Sequence, residues 1–481
     1  MLTPAGRAAV RPGRVESVRK RIAVIGGGIA GLAAAVRLRD VTPADTEIIV
    51  YEQGGALGGK LRTGELAGVT VERGAESFLN GAPDGGESAA VTFVRRVGLG
   101  DALVHPAAQP AALAIGGKLA RVPAGTLVGV PGDLSALDGV AFPDEDADAD
   151  DGRPLLAPGA DVAVGELVRA RYGAEVVDRL VDPMLGGVYA GRADRLSLRA
   201  TMPQLARTAE TEHTLRGAVR AAQALSRRTP GRPVFAAVDG GMSRLIGAAA
   251  TAARARISLG LPVREIVRAG DRWHLVLGPA PEPQADDVDA VILAVPAKPA
   301  ARLLTAVAPE AAAAIGQLEY ASVALAGLAL PPGTTLPELS GFLVPPGEGT
   351  LVKAATFFTR KWPHLAGPES PVIVRASLGR AGEEDRLQLS DQALLEIAHR
   401  ELSELAGVDL PEPVESWIQR WGGGLPQYAP GHPDRVRAVR EALPPGLAVA
   451  GAALDGVGIP VCVASGGAAA DDVSIYLEAS A

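Results

Sequence analysis

Cysteine is all but missing from this chain: Cys462 is the only one among 481 residues. That excludes an internal disulfide and any cysteine-cluster metal site. The six histidines contain no H-x-x-x-H pair, so a metal enzyme is not expected either. Basic excess is absent too. With a formal net charge of −8 and a pI near 5.5, the chain lacks the basic face that nucleic acid requires of a partner. No window approaches the roughly 18 uninterrupted apolar residues of a membrane-spanning helix. Residues 1–20 are basic, carry proline and glycine, and lack the apolar centre of a signal peptide; they read as a disordered tail. These absences place the chain in the cytoplasm. What is present is an ordinary globular composition, 47% hydrophobic and 21% charged, long enough for two or three domains with a large core.

The densest signal lies in residues 21–62. Arg21–Ile25 (RIAVI) is a short apolar run suited to a strand buried on both faces of a parallel sheet. Gly26, Gly28 and Gly31 follow in G-x-G-x-x-G spacing. The first allows a tight turn, the second lets backbone approach a pyrophosphate, and the third lets the next helix pack closely on the strand. That helix, Leu32–Arg39, would aim its free N–H groups and partial positive charge at the phosphates. A second strand, Ile48–Tyr51, ends at Glu52, where a carboxylate can grip a ribose hydroxyl. In a chain with 59 glycines the pattern alone means little; strand, helix and acid at the right distances make it a dinucleotide site. The acid disfavours the 2′-phosphate of NADP. Gly58-Gly59-Lys60-Leu61-Arg62 is atypical of nicotinamide enzymes. A glycine pair there lets the loop fold over a longer cofactor, with Lys60 or Arg62 available to its phosphates. A flavin is favoured.

No repeat of 20–50 residues is visible along the rest of the chain. Hairpins are expected at Leu66–Val71 around Gly68, at Leu113–Val122 around Gly116-Gly117, and at Val263–Leu277. Pro143–Gly152, with six acids in the eight residues from Asp144 to Asp151, reads as a solvated loop. Helices are expected over Val164–Leu180, Leu198–Ala209 and Ala218–Leu225. Between the first two, Asp182–Gly191 reads as an apolar loop with three glycines, where backbone can approach a flat ligand. Asp289–Val295 is a buried strand stopped by Pro296. Near the end the opening grammar returns: strand Leu447–Ala450, a glycine-bearing turn from Gly451 to Gly458, and Pro460 opening a terminal helix. A second helix N-terminus suits a flavin, stabilising negative charge on its reduced ring.

Four segments carry a family resemblance: DPMLGGVYAGRADRLSLRATMPQLA (Asp182–Ala206), KWPH (Lys361–His364), LPQYAPGH (Leu425–His432) and GAALDGVGIPVC (Gly451–Cys462). On these the chain resembles the protoporphyrinogen/coproporphyrinogen oxidase family, FAD enzymes of haem biosynthesis, from Arg21 to about Leu477. Its pattern sits nearer the Gram-positive bacterial coproporphyrinogen III oxidase type. The resemblance implies an α/β fold with an FAD-binding Rossmann-like domain of the hydroxybenzoate-hydroxylase kind, a mixed-sheet substrate domain and a helical domain. The FAD domain would be discontinuous, built from residues 21–60, 236–303 and 419–481. Residues 61–122, 217–235 and 304–418 would form the substrate domain, and 123–216 the helical domain. The resemblance also implies noncovalent FAD held by Gly26, Gly27, Gly28, Ile29, Ala30 and Gly31, by Glu52, Gln53, Lys60 and Arg62, and by Gly74, Ala75, Glu76 and Ser77. Val263, Trp421, Val457, Gly458, Ile459 and Pro460 complete the set; Val263 rests on the resemblance alone.

The implied reaction removes six electrons from coproporphyrinogen III in three two-electron steps through FAD, which O2 reoxidises to give H2O2. Protoporphyrinogen IX is the alternative substrate. The cofactor carries that chemistry, so no acid–base residue is assigned, and His432 and Asp455 read as structural hydrogen-bond partners. The substrate's propionates need cations, and here the chain departs from its relatives. Plant and animal members carry an arginine where this chain has Ala111, and several Gram-positive members a lysine where it has Gly81 and Ala82. Lys118, Arg121 and Lys353 are the substitutes, with Gly187 and Tyr189 as further substrate residues. Membrane contact is expected to be peripheral and weak at most, and the oligomeric state is not fixed. A non-catalytic escort protein of the GDP-dissociation-inhibitor kind shares the architecture but has no need of flavin signatures at both ends. Amine oxidases and carotenoid desaturases are similar up to about residue 80, and Asp182–Ala206 sets the chain apart from them.

Overall fold

The structure, a computed structural model, describes residues 19–480 except 138, 226–230, 366 and 368, so the expected tail lies outside the described residues but for Arg19 and Lys20. Five parallel strands make the central sheet, in the order Arg256–Leu259, Glu47–Glu52, Arg21–Ile25, Ala290–Leu293, Leu447–Val449. Alternate residues of Arg21–Ile25 enter opposite cores. Ile22 and Val24 pack with the helices Ile29–Val41, Met242–Ala253 and Ile459–Ala479. Ala23 and Ile25 join the antiparallel meander Val263–Ala269, Arg272–Leu277, Gln284–Val288 and the helices Ala297–Leu304 and Pro309–Gly316. A strand covered on both sides must be apolar throughout, which is why it reads as an unbroken run.

A seven-stranded mixed sheet adjoins it, in the order Glu415–Gln427, Glu319–Leu330, Val372–Leu378, Val352–Phe357, Gly341–Leu343, Ala111–Ile115, Lys118–Arg121. Helix Asp391–Ala406 seals one face of that sheet through Leu394, Ala398 and Leu402. A third unit is helical, its core formed by Val164, Leu180, Leu198 and Leu215 among others. The architecture is the expected α/β one: a Rossmann-like sheet, a mixed sheet and a helical part. All three expected hairpins form.

Four local expectations are overturned. Asp182–Gly191 is not a loop: Asp182–Tyr189 is a helix, closed by Ala190 at φ 52°. It continues directly from the helical stretch Val177–Val181, Val181 itself standing in helical geometry. Two of the segment's three glycines are closely packed: a Cβ on Gly187 would sit 3.1 Å from Leu343 Cδ2 and one on Gly191, beyond the helix, 2.2 Å from Gln427 Oε1. The helix expected over Val164–Leu180 is broken at Gly173, which turns at φ 84°, and resumes at Ala174 with a π-helical stretch over Val177–Val181. Leu198–Ala209 likewise divides at Met202, which precedes Pro203 and leaves helical geometry.

The acidic loop, finally, is not wholly solvated. Asp148 is 1% exposed and accepts from Leu215 N at 2.6 Å and Arg216 N at 3.2 Å, capping the helix Leu215–Leu225 while pairing with the Arg216 guanidinium. Asp148→Ala should therefore lower stability by about 1–2 kcal/mol, whereas Asp146→Ala on the exposed part of the loop should stay within about 0.5 kcal/mol. Urea denaturation of the two variants distinguishes a cap from a merely acidic stretch.

Candidate functional site

The first glycine turn is closed at its back and open at its front. Gly26 sits at φ 113°, where a Cβ would lie 2.4 Å from Ala294 O; a Cβ on Gly31 would lie 1.9 Å from Gly26 O. A Cβ on Gly28, by contrast, meets nothing within 4 Å. Glu52 ties the turn to the second strand: Gly27 N donates to its Oε2 at 2.8 Å and Gly54 N to its Oε1 at 2.7 Å. The second glycine pair folds against the first turn, with Gly58 N donating to Gly27 O at 2.9 Å. Next to it, Ala75 N donates to Lys60 O at 3.2 Å, and a Cβ on Gly74 would lie 2.0 Å from that same oxygen. Trp421 Nε1 donates to Arg73 O at 2.8 Å, and its ring lies 3.4 Å from where a Cβ on Gly74 would be. Direct contact thus links Gly26–Gly31, Glu52, Gly58–Lys60, Gly74–Ala75 and Trp421.

The remaining candidates join from the rim. Helix Ile459–Ala479 begins at Gly458 and packs so closely on Ile29–Val41 that a Cβ on Gly466 would be 2.1 Å from Ala30 O. Leu261 N donates to Glu52 O at 3.1 Å, which starts the Val263 strand beside the acid. Lys60 is half-buried, its pKa lowered by burial, and its ammonium makes no hydrogen bond among the described residues; Gln53 and Arg62 are exposed. A turn open at Gly28, two helix N-termini and a cation without a hydrogen bond fit an extended diphosphate ligand.

Arg375 was not singled out in the sequence, and Lys361 entered only as the first residue of the KWPH segment, with no role assigned. Arg375 and Lys361 both donate to the Glu76 carboxylate, and Arg375 also donates to Glu72 O at 2.8 Å and Gly74 O at 3.1 Å. Burial alone would raise Glu76, but the two cations outweigh it and hold its carboxyl below the usual range. The available signal for Arg375 was a lone charge inside the apolar run VIVRASL.

Glu72 behaves oppositely. Burial pushes it up to about 7, although the Met242 amide and the Thr63 hydroxyl both donate to it. An unfolded glutamate titrates near 4.5, so the folded chain holds this proton more tightly between the two values. Stability from Glu72 is therefore full below pH 4.5 and lost as pH rises through 7. The loss should reach about 3 kcal/mol at most, and Glu72→Gln should flatten that part of the pH–stability curve in chemical denaturation.

On the substrate side the candidates do not form one cluster. Lys118 and Arg121 are exposed on the edge strand of the seven-stranded sheet. Lys353 lies buried in the same sheet, its Nζ donating to Gly186 O at 3.1 Å and burial pushing it down to about 7. Gly187 and Tyr189 ride on the helix Asp182–Tyr189, whose end is tied down by Gln427 Nε2 donating to Tyr189 O at 2.8 Å. The Tyr189 ring meets Tyr428 edge-on at 5.8 Å, and Ala190 packs with Val323 and Trp421. His432 and Asp455 both make hydrogen bonds within the fold. His432 is hydrogen-bonded to Leu454 O at 2.8 Å, while Asp455 accepts from Ser465 Oγ and Arg440 at 2.7 Å each. Among the described residues no cluster could hold a metal, and no helix is long and apolar enough to cross a membrane.

The sheet, its glycine turn and the second glycine pair define a flavin-dependent oxidoreductase. The chain belongs to the flavin-containing amine oxidoreductase family, whose sequence model matches residues 29–474. It is 37% identical over 474 residues to the coproporphyrinogen III oxidase of Mycobacterium tuberculosis (strain H37Rv), covering 95% of this chain and 98% of that protein. It is 30% identical over 478 residues to the coproporphyrinogen III oxidase of Bacillus subtilis (strain 168), covering 95% and 99%. A crystal structure from Exiguobacterium sp. 255-15, named provisionally as a protoporphyrinogen oxidase, superposes with a TM-score of 0.81 at 32% identity, covering 95% of this chain and 99% of that one. Kinship with the amine oxidoreductases is thus not confined to the first 80 or so residues, as the sequence suggested; it runs the length of the fold.

Proposed function

We propose that this chain oxidises coproporphyrinogen III to coproporphyrin III in haem biosynthesis, with noncovalent FAD as cofactor and O2 as terminal acceptor. End-to-end likeness to coproporphyrinogen III oxidases, over 95% of the chain, carries this reading. Six electrons and six hydrogens leave the porphyrinogen, and three O2 become three H2O2. Bound FAD supplies the two-electron acceptor for each step.

The chain's own groups bind and orient. N–H groups at the start of Ile29–Val41 and Ile459–Ala479 face anionic parts of the cofactor, Lys60 and Arg62 neutralise its diphosphate, and Glu52 accepts from a ribose hydroxyl. Residues 21–60, 236–303 and 419–481 assemble this FAD domain, with strand Glu415–Gln427 crossing into the substrate domain (61–122, 217–235, 304–418). Residues 123–216 close the pocket from above, bringing Gly187 and Tyr189 to the macrocycle. Lys118, Arg121 and Lys353 answer the propionates; charge reversal at each should raise KM, and an unchanged KM at all three rejects them. The protein works in the cytoplasm, with peripheral membrane contact at most.

Purified protein should be yellow and should generate porphyrin fluorescence aerobically from coproporphyrinogen III faster than from protoporphyrinogen IX. The reverse preference overturns the substrate. A colourless, inert protein that refuses added FAD returns the escort reading.

A further inference from the structure

Charge is concentrated beside the segment Gly74–Ser77. Three ionisable side chains meet there, Glu76 at 8% exposure, Arg375 at 11% and Lys361 at 19%. Glu76 accepts from both cations, and burial pushes the neighbouring Glu72 carboxyl toward its neutral form, so the cations outnumber the ionised carboxylates in a place from which water is largely excluded. The excess positive charge is felt more strongly there than it would be in solvent.

The two cations are held differently. Arg375 makes contacts with the chain itself: its Nη1 donates to Glu72 O at 2.8 Å and Gly74 O at 3.1 Å, while Nη2 donates to Glu76. One planar fork therefore fixes three points between Glu72 and Glu76, and it does so from strand Val372–Leu378 of the other sheet. Lysine, a point charge, cannot reproduce that. Lys361 touches only the carboxylate of this segment, its ammonium lying 5.8 Å from the Phe235 ring centre and 5.6 Å from that of Trp362.

We propose that Arg375 is a positioning residue for the flavin, shaping Gly74–Ser77 through its bridge to Glu72, Gly74 and Glu76, and that its charge with that of Lys361 favours the reduced cofactor. The inference rests on the reading of Gly74–Ser77 as a flavin-binding segment. A flavin gains negative charge on reduction, so a fixed positive excess nearby raises its potential, whereas the shape of the segment governs how tightly FAD is held.

Four variants separate shape from charge. Arg375→Lys keeps the charge and loses the fork; Lys361→Met loses a charge and leaves the fork; Arg375→Met loses both. Glu76→Gln/Arg375→Met loses the fork but leaves Lys361 as the excess charge. On purified holoenzyme, FAD dissociation is read by flavin fluorescence and the two-electron midpoint potential by equilibration with redox dyes. Arg375→Lys should weaken FAD binding about tenfold with the potential held. Lys361→Met should lower the potential by about 30 mV, a tenfold change in the redox equilibrium, with FAD affinity kept within about threefold. Arg375→Met should show both effects, and the double variant weak binding at a wild-type potential. FAD affinity unchanged in Arg375→Lys overturns the positioning role, and a wild-type potential in Lys361→Met overturns the charge effect; both can be read even where Arg375→Met fails to fold. Wild-type protein that holds no flavin sinks the underlying reading. Wild-type turnover of coproporphyrinogen III with unaltered variants sinks this inference alone.

Discussion

Alanine at Gly31 is expected to give a colourless protein. Its Cβ would stand 1.9 Å from Gly26 O and 3.3 Å from Ala294 Cβ. A backbone carbonyl cannot swing aside as a long side chain can, so the helix Ile29–Val41 must retreat from the sheet. Overpacking of this sort costs about 1–3 kcal/mol, and here the displacement falls on the N–H groups that would face the diphosphate. With each 1.4 kcal/mol worth about tenfold in affinity, flavin content after purification should fall below about a tenth of wild type. Gly28→Ala is the companion. Gly28 has an ordinary φ of −75° and open space before it, so the variant's apo-protein should melt within about 2 °C of wild type. Its added methyl nonetheless stands where backbone would approach a phosphate, so flavin affinity should drop. Equal losses of stability in both variants would remove the distinction between a packing glycine and a contact glycine.

Glu76→Ala should be the most destabilising single change outside the hydrophobic cores. It strands Lys361 and Arg375, at 19% and 11% exposure, without their shared anion. Removing one partner of a buried charge cluster costs about 3–5 kcal/mol, which for a chain of this size corresponds to a fall in Tm of about 3–5 °C. Asp471→Ala breaks the exposed pair between Arg37 and Asp471, with exposures of 47% and 43%, and should cost less than about 1 kcal/mol. Thermal melts of the two variants decide the matter: a Glu76→Ala midpoint close to wild type would mean that water reaches the two cations.

How much was legible follows from what each residue's neighbours are in sequence. The glycine turn was readable because its strand, helix and acid all lie within one continuous segment, and each glycine's role depends on atoms of that segment or of one adjacent strand. Asp182–Gly191 was misread because three glycines in ten residues resemble a loop unless Leu343 and Gln427 are known to press against them. Asp148 looked like one acid among several; only its docking on Leu215 and Arg216 separates it from Asp146. Arg375 was invisible for the same reason, since its meaning lies in the carbonyls of Glu72 and Gly74, supplied from another sheet. Local grammar carries the strands and turns. Long-range contact decides which polar residue inside an apolar run is functional.

One further consequence follows from the pairing of helix Ile29–Val41 with helix Ile459–Ala479, bridged by Arg37 and Asp471 across 434 positions of chain. During synthesis the helix Ile29–Val41 precedes its partner and must wait, its apolar flank uncovered, until the 434 positions between Arg37 and Asp471 have been delivered. Cofactor loading then waits until both helices are in place. A nascent chain stalled before Gly458 would expose that flank to chaperones and hold no colour.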